Sequence, residues 1–235
     1  MKDIDLFAPT RGRPKSLTSI TIKDVFRVYR EPERDEHLVI FADPSEGAGS
    51  LSSAVATSKK HQDQPLIFNS RIDSAQLGYE LHRVAKYIFH FTGIWPNIAI
   101  ERNTGQATIH VLNKLNYPSL FRMMTFDTST QKESEKIGWV MMDHSRRKIL
   151  DDFALAVKQH IVKIYDKEVL QQMMAFVNKK SKSGVWRAEA ESGKNDDLVI
   201  CACGSWQIAM LVSSSELDEV DIDAVRKERE KSRFK

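Results

Sequence analysis

Short apolar runs separated by turns form the first patterned part of the chain. Three of these runs are rich in β-forming residues and cover residues 37–43, 51–58 and 66–72. The segments between them are polar or contain proline and glycine. Because the turns are short, this part predicts an antiparallel meander of three strands. Residues 1–36 have a looser pattern and end in a charged turn, so we expect them to be a lead-in segment.

From residue 73 onward, apolar residues recur at every third or fourth position, which is typical of amphipathic helices. The first helix is expected to begin with Asp73 or Ser74 as its N-cap and to end at Gly93. Further helices are expected over residues 105–115, 146–161, 167–177 and 196–212, and further strands over residues 96–101 and 119–123.

Two connecting segments and the C-terminal tail lack this periodicity. Residues 125–142 are polar and irregular, which is compatible with either a hairpin or a plain surface loop, and a basic loop is expected before the last helix. The tail, residues 214–235, is acidic in its first half and basic in its second. We therefore expect one α/β domain over residues 37–213, built on a mixed sheet of five or more strands.

Composition excludes several classes of protein. Hydrophobic residues make up 41% and charged residues 29%, which excludes a mostly disordered chain. The sequence has neither an apolar run long enough to span a membrane nor a signal-peptide pattern, so no membrane association is expected. Cys201 and Cys203 are too close together to cross-link the fold, which favours a reducing, intracellular setting. The net charge of +3 is too small to indicate a partner.

Acidic residues occupy the ends of three predicted elements. Asp43 ends the first strand, Glu101 ends the fourth strand, and Asp196 and Asp197 open the last helix. If the first and fourth strands are parallel neighbours, Asp43 and Glu101 meet at their carboxyl ends, where open α/β sheets place their sites. A helix that begins at the same edge would add Asp197. Taken singly, each acid is more often a turn former or a helix cap, so the evidence lies in their order.

A cluster of carboxylates needs a counter-charge, because two unit charges 4 Å apart repel by about 4 kcal/mol at an effective dielectric constant near 20. Oxygen ligands select hard cations, so Mg²⁺ or Mn²⁺ is expected. Two such ions about 3.5–4 Å apart can activate water and stabilise the leaving oxygen in phosphodiester cleavage.

Four segments carry a resemblance to a known family. The segments that carry the resemblance are, in order, IFADPSEG, IAIERNTGQAT, KIGWVMM with SRRKIL, and GKNDDLVICACG. Over roughly residues 25–212, the chain resembles the nuclease domain of the large terminase subunit of tailed bacteriophages. The resemblance implies an RNase H-like fold, with a mixed five-stranded or larger sheet and helices on both faces. It also implies a DNA endonuclease that cuts concatemeric viral DNA during genome packaging.

The resemblance assigns roles by position. Asp43, Glu101 and Asp197 match the catalytic metal ligands for two Mg²⁺ or Mn²⁺ ions, and Asp196 is a further ligand or an outer partner. Asn103 and Gly105 match the turn that follows the second acid. The family often has another acid in the strand after the first glycine turn, where this chain has serines and a leucine at residues 50–53.

The resemblance also sets expectations about partners. Family members usually carry an ATPase motor before the nuclease, but this sequence has no Gly-x-x-x-x-Gly-Lys-Ser/Thr loop, so we expect an isolated nuclease domain or a fragment of a longer protein. Double-stranded DNA is the expected substrate. By resemblance, the other partners are the portal, the small terminase subunit and a motor ATPase domain, in the host cytoplasm.

Two basic clusters are candidates for DNA contact, because lysine and arginine bind phosphates without regard to sequence. The preferred cluster precedes the last helix and contains Lys179, Lys180, Lys182 and Arg187. The second cluster contains Arg146, Arg147 and Lys148, of which the two arginines are the candidates for DNA contact. A solvated surface without a partner is the alternative for both. Nothing in the sequence resembles a base-reading helix, so little sequence specificity is expected.

Other functions are compatible with the same sequence. Another RNase H-like enzyme, such as a junction resolvase or an integrase, would use the same acids. A non-catalytic DNA-binding or motor-docking module would bind DNA without cutting it. A fragment of an ATPase is disfavoured by the missing phosphate loop.

Overall fold

The computed structural model describes residues 26–45, 51–127, 132–180, 186–190 and 195–212. The elements are numbered in chain order. The strands are β1 (Arg27–Val28), β2 (Leu38–Asp43), β3 (Ser52–Ser58), β4 (Asp63–Gln64), β5 (Leu66–Ser70), β6 (Asn97–Ile100), β7 (Arg122–Asp127), β8 (Lys132–Ile137), β9 (Lys163–Ile164), β10 (Phe176–Lys180) and β11 (Trp186–Ala190). The helices are α1 (Ser74–Thr92), α2 (Gln106–Lys114), α3 (Asp143–Lys158), α4 (Lys167–Met174) and α5 (Asp197–Leu211).

A five-stranded mixed sheet forms the centre of the fold, with the order β1-β5-β3-β2-β6. β2, β3 and β5 pair antiparallel, as the predicted meander requires, whereas β2 and β6 run parallel. The connection from β5 to β6 passes through α1, which begins at the predicted N-cap Asp73 and ends at Gly93 in the left-handed conformation. The predicted parallel neighbourhood of the first and fourth strands is confirmed.

Helices cover both faces of this sheet, which explains why β2 is apolar along almost its whole length. On one face, the buried sides of α1 and α2 pack against alternate residues of the strands, such as Ile40 and Ile98. On the other face, α5 packs with α3 and α4 against Phe41 and Val55. α5 is buried on nearly every side, so it is the central helix of the second layer.

Small and polar residues let α5 lie close to the sheet. A Cβ atom on Gly204 would lie 2.5 Å from the ring of Phe41, so only glycine fits there. The Cys201 thiol donates to the carbonyl oxygen of Ser53 at 3.4 Å. The hydroxyl groups of Thr57 and Ser205 are 2.7 Å apart. These contacts fix the position of α5 along β3.

Part of the segment predicted as a lead-in belongs to the sheet. β1 pairs with β5, and Phe26 is buried against Phe68. Arg30 forms ion pairs with two buried carboxylates, at 2.6 Å from Glu36 and 2.9 Å from Asp63. These long-range contacts join residues 26–36 to the domain. The domain boundaries at residues 37 and 213 otherwise stay predictions, and the tail, residues 214–235, lies outside the described residues.

Two predictions of local structure were wrong, and the structure decides a third that the sequence left open between a hairpin and a loop. The segment expected as a basic loop contains an antiparallel ribbon of β10 and β11, so the preceding helix α4 ends at Met174 rather than at residue 177. The irregular segment forms the hairpin of β7 and β8. The strand expected over residues 119–123 is divided: Leu120 forms an isolated parallel bridge with Ile98, and residues 122 and 123 belong to β7, which pairs with β8. Pairing between two neighbouring segments of the chain decided the ribbon and the hairpin.

Candidate functional site

The ends of β2 and β6 place Asp43 and Glu101 side by side. Ala42 and Ile100 are paired in the parallel register, and the backbone N–H of Glu101 donates to the carbonyl oxygen of Ala42 at 2.8 Å. Asp43 and Glu101 are the next residues in each strand, and their carboxyl groups share a hydrogen bond. The sheet itself therefore joins two acids that are far apart in sequence.

The first turn of α5 brings two more acids to the same edge. Asp197 opens the helix, and Asp196 occupies its N-cap position without a capping hydrogen bond from its side chain. The charge of Asp197 acts on Asp43, and that of Asp196 acts on Asp43, Glu101 and Asp197. The four acids predicted from sequence thus lie in one electrostatic cluster, which we call the carboxylate cluster.

Burial and mutual repulsion disfavour ionisation of the carboxylate cluster. Burial is the largest cause that raises the pKa of Asp43, to about 9, and the charges of Glu101 and Asp197 raise it further. Burial also raises the pKa of Glu101 and that of Asp197. Burial and the neighbouring charges therefore favour the protonated form of Asp43 in the folded protein.

Asn103 and Gly105 shape the turn after Glu101. The side-chain amide of Asn103 donates to the carbonyl oxygen of Met141 at 3.2 Å, and its Nδ2 is 3.4 Å from Oε1 of Glu101. A Cβ atom on Gly105 would lie 2.3 Å from the carbonyl oxygen of Glu101, so no larger residue fits without moving the turn. Their role in a functional site stays a prediction.

Trp139 holds Glu101 from the side opposite to β2. The N–H of Trp139 donates to the carbonyl oxygen of Ile100 and the N–H of Arg102 donates to that of Trp139, both at 2.8 Å. Gly138 precedes it with a φ of 88°, a left-handed conformation that favours glycine. This extra parallel bridge was missed by the sequence analysis, because a single paired residue leaves no periodic signal.

A cation accompanies the carboxylate cluster. Arg146, in the first turn of α3, forms an ion pair between its Nη2 and Oδ2 of Asp196. Its positive charge acts to lower the pKa values of Glu101 and Asp197, but burial has the larger effect and both pKa values remain raised. Arg147, its neighbour, lies exposed on α3.

The preferred basic cluster belongs to the β10–β11 ribbon in part. Lys179 and Arg187 are paired in the antiparallel register, and Lys180 is paired with Trp186. Lys182 lies outside the described residues.

Two features that support the site had no sequence signal. Gln172 of α4 accepts a hydrogen bond at 3.0 Å from the backbone N–H of Leu198, so it caps the start of α5 in place of the N-cap side chain. Asp43 is also opposite Ser53, where the sequence departs from the family pattern. The Ser53 hydroxyl donates to Asn69 at 2.8 Å, and Asn69 donates to Glu168 of α4 at 2.6 Å. A polar row therefore continues from the carboxylate cluster across β3 and β5.

The donor set of the carboxylate cluster fits a hard divalent cation. Its ligands are carboxylate oxygens, which Mg²⁺ and Mn²⁺ prefer, and its raised pKa values show that positive charge would be favourable there. Within the described part of the chain, no three His, Cys, Asp or Glu side chains already have metal-ligand spacing.

Solved structures with the same architecture exist. The large terminase nuclease from thermophilic phage G20c with bound magnesium matches with a TM-score of 0.63 and 13% identity, over 79% of this chain and 88% of that chain. The Thermus phage P74-26 large terminase nuclease domain matches with a TM-score of 0.57 and 15% identity, over 77% and 84%. The fold is that of large terminase nuclease domains.

The terminase nuclease fold extends to an animal virus. The human cytomegalovirus terminase nuclease domain, soaked with manganese and with an inhibitor bound, matches with a TM-score of 0.51 and 14% identity, over 74% of this chain and 82% of that chain. The phage G20c nuclease also has structures with bound cobalt or zinc. No protein-family model matches this sequence, and no curated protein does. The RNase H-like class, with a mixed sheet between two layers of helices, is thus confirmed.

Among the described residues, none of the helices combines the length and the apolar character that a membrane span requires.

Proposed function

We propose that this domain is a metal-dependent DNA endonuclease that acts in viral genome packaging. The observation that carries the proposal is the convergence of Asp43, Glu101 and Asp197 from two strand ends and a helix start. These acids lie 58 or more residues apart in sequence and repel one another, so bringing them together does not by itself stabilise the fold. The terminase nuclease fold supports the same conclusion.

In the proposed reaction, Asp43, Glu101 and Asp197 hold two Mg²⁺ or Mn²⁺ ions. The ions would supply activation of the attacking water and neutralisation of the leaving oxygen, so that one P–O bond forms as one P–O ester bond breaks. The ions favour the ionised carboxylates, so their binding would oppose the effect of burial that raises the pKa of Asp43. Asn103 orients Glu101 through its side-chain amide, and Asp196 is a further ligand or an outer partner.

The substrate is double-stranded DNA, held by contacts to its phosphates. We propose that the cluster of Lys179, Lys180, Lys182 and Arg187 makes these contacts, together with Arg146, which pairs with Asp196, and Arg147 at the start of α3. Such contacts give little sequence specificity. The portal, the small terminase subunit and a motor ATPase domain are the proposed protein partners, and the host cytoplasm is the proposed location.

Digestion of supercoiled plasmid tests the proposal. We expect nicked and linear products with Mg²⁺ or Mn²⁺ and none with EDTA, and we expect Asp197→Asn to lower the nicking rate at least about 100-fold with its fold intact. Asp151→Asn, which removes an exposed carboxylate of α3, is the matched control and should cut normally. Unchanged cutting by Asp197→Asn would disprove the assignment of the site.

The same preparation separates the alternatives. DNA retardation without cleavage at any Mn²⁺ concentration would indicate a binding or motor-docking module. Preference for branched DNA would indicate a junction resolvase, and strand-transfer products would indicate an integrase.

A further inference from the structure

Arg146 is placed at the carboxylate cluster by the backbone around it. The side chain of Ser145 accepts a hydrogen bond at 2.9 Å from the N–H of Met142, and the N–H of Arg146 donates to the carbonyl oxygen of Met142 at 2.8 Å. The preceding residue, Met141, accepts the hydrogen bond from Asn103 beside Glu101. The first turn of α3 is therefore fixed between the Glu101 turn and the start of α5.

The guanidinium group of Arg146 is the counter-charge to several acids at once. It pairs with Asp196, and its charge favours the ionised forms of Glu101 and Asp197. Both partners of the ion pair are only partly buried, with 29% of the Arg146 side chain and 27% of the Asp196 side chain exposed. The guanidinium group is therefore within reach of a ligand that arrives from solvent.

A divalent ion and Arg146 compete for the same negative charge. An ion on the carboxylates would repel the guanidinium group and weaken its hold on Asp196. A DNA phosphate brought to the ion offers the guanidinium group a replacement partner, since the planar fork of arginine fits phosphate oxygens as well as it fits a carboxylate.

We propose that Arg146 exchanges partners during the reaction: it neutralises Asp196 before a divalent ion binds, and it binds a phosphate of the DNA once the ion occupies the carboxylate cluster. Arg146 is thus a positioning residue that couples ion binding to DNA binding. This inference rests on the proposed function, and it adds a specific coupling that a phosphate contact alone does not require.

The proposal predicts opposite effects of one substitution. Arg146→Gln removes the competing charge, so Mn²⁺ should bind about threefold or more tightly in a calorimetric titration without DNA. The same variant should bind a short DNA duplex about fivefold or more weakly in Ca²⁺, with a salt dependence reduced by about one phosphate contact. Lys158→Gln, which removes an exposed cation in the last turn of the same helix, should change neither affinity by more than about twofold.

A conservative variant keeps the test decisive if Arg146→Gln does not fold. Arg146→Lys retains the charge and loses the planar fork, so it should bind Mn²⁺ like the natural protein and bind the duplex more weakly. Equal or weaker Mn²⁺ binding by Arg146→Gln, or unchanged duplex binding by both variants, would overturn the proposal. If the natural protein binds Mn²⁺ and cuts DNA in these preparations, such a result overturns the partner exchange alone. If it binds no Mn²⁺, the proposed function fails as well.

Discussion

The proton held at Asp43 should make the metal-free protein less stable as the pH rises. Its pKa is raised from 3.8 to about 9 by folding, so between these values the folded protein holds a proton that the unfolded chain has released. Raising the pH then favours unfolding, by about 1.4 kcal/mol for each pH unit and one proton. From pH 6 to pH 8, the free energy of unfolding should fall by about 2.7 kcal/mol from this group.

Asp43→Asn should remove this dependence, because an amide does not ionise. Urea unfolding in EDTA, followed by tryptophan fluorescence at pH 6, 7 and 8, gives the slope for both proteins. In a plot of the free energy of unfolding against pH, we expect the natural protein to have a more negative slope than Asp43→Asn. The difference should be about 1.4 kcal/mol per pH unit, which corresponds to one proton. Asp151→Asn removes an exposed carboxylate of α3 and should keep the natural slope. Equal slopes for the natural protein and Asp43→Asn would show that folding does not raise the pKa of Asp43.

Divalent ions should reverse the pH effect. An ion favours the ionised carboxylates, so Mg²⁺ should stabilise the natural protein more at pH 8 than at pH 6, by an amount that grows with the ion concentration. Asp43→Asn should lose most of this stabilisation. Equal stabilisation of both proteins by Mg²⁺ would show that the ion binds elsewhere.

Three further substitutions test how the carboxylate cluster is built. Gly204→Ala places a methyl group 2.5 Å from the ring of Phe41, so it should lower the free energy of unfolding by about 1–3 kcal/mol in urea and slow plasmid nicking as α5 moves. Gly105→Ala places a methyl group 2.3 Å from the carbonyl oxygen of Glu101, so nicking should fall by at least about tenfold, whereas full activity would show that the turn need not be tight. Gln172→Ala leaves the start of α5 without its acceptor and should cost about 1 kcal/mol of stability, with no change expected if solvent replaces the cap.

The elements with strong local patterns were predictable from the sequence. The apolar run before Asp43 indicates a strand, because both faces of the sheet are buried there. The apolar residues at every third or fourth position after Asp73 indicate a helix, because one face of that helix is buried. The β10–β11 ribbon was not predictable in this way. Five of its ten residues are polar and five are apolar, and it exists because residues 176–180 pair with residues 186–190.

The identities of the four acids, their order along the chain and their places at the ends of elements are properties of the sequence alone. Their proximity is a property of the tertiary structure, because it requires β6 to pair in parallel with β2 and α5 to lie across the same sheet. The close approach of α5 depends in turn on Gly204, and the partner of Asp196 depends on α3. The raised pKa of Asp43 has the same origin, since burial and neighbouring charges exist only after folding.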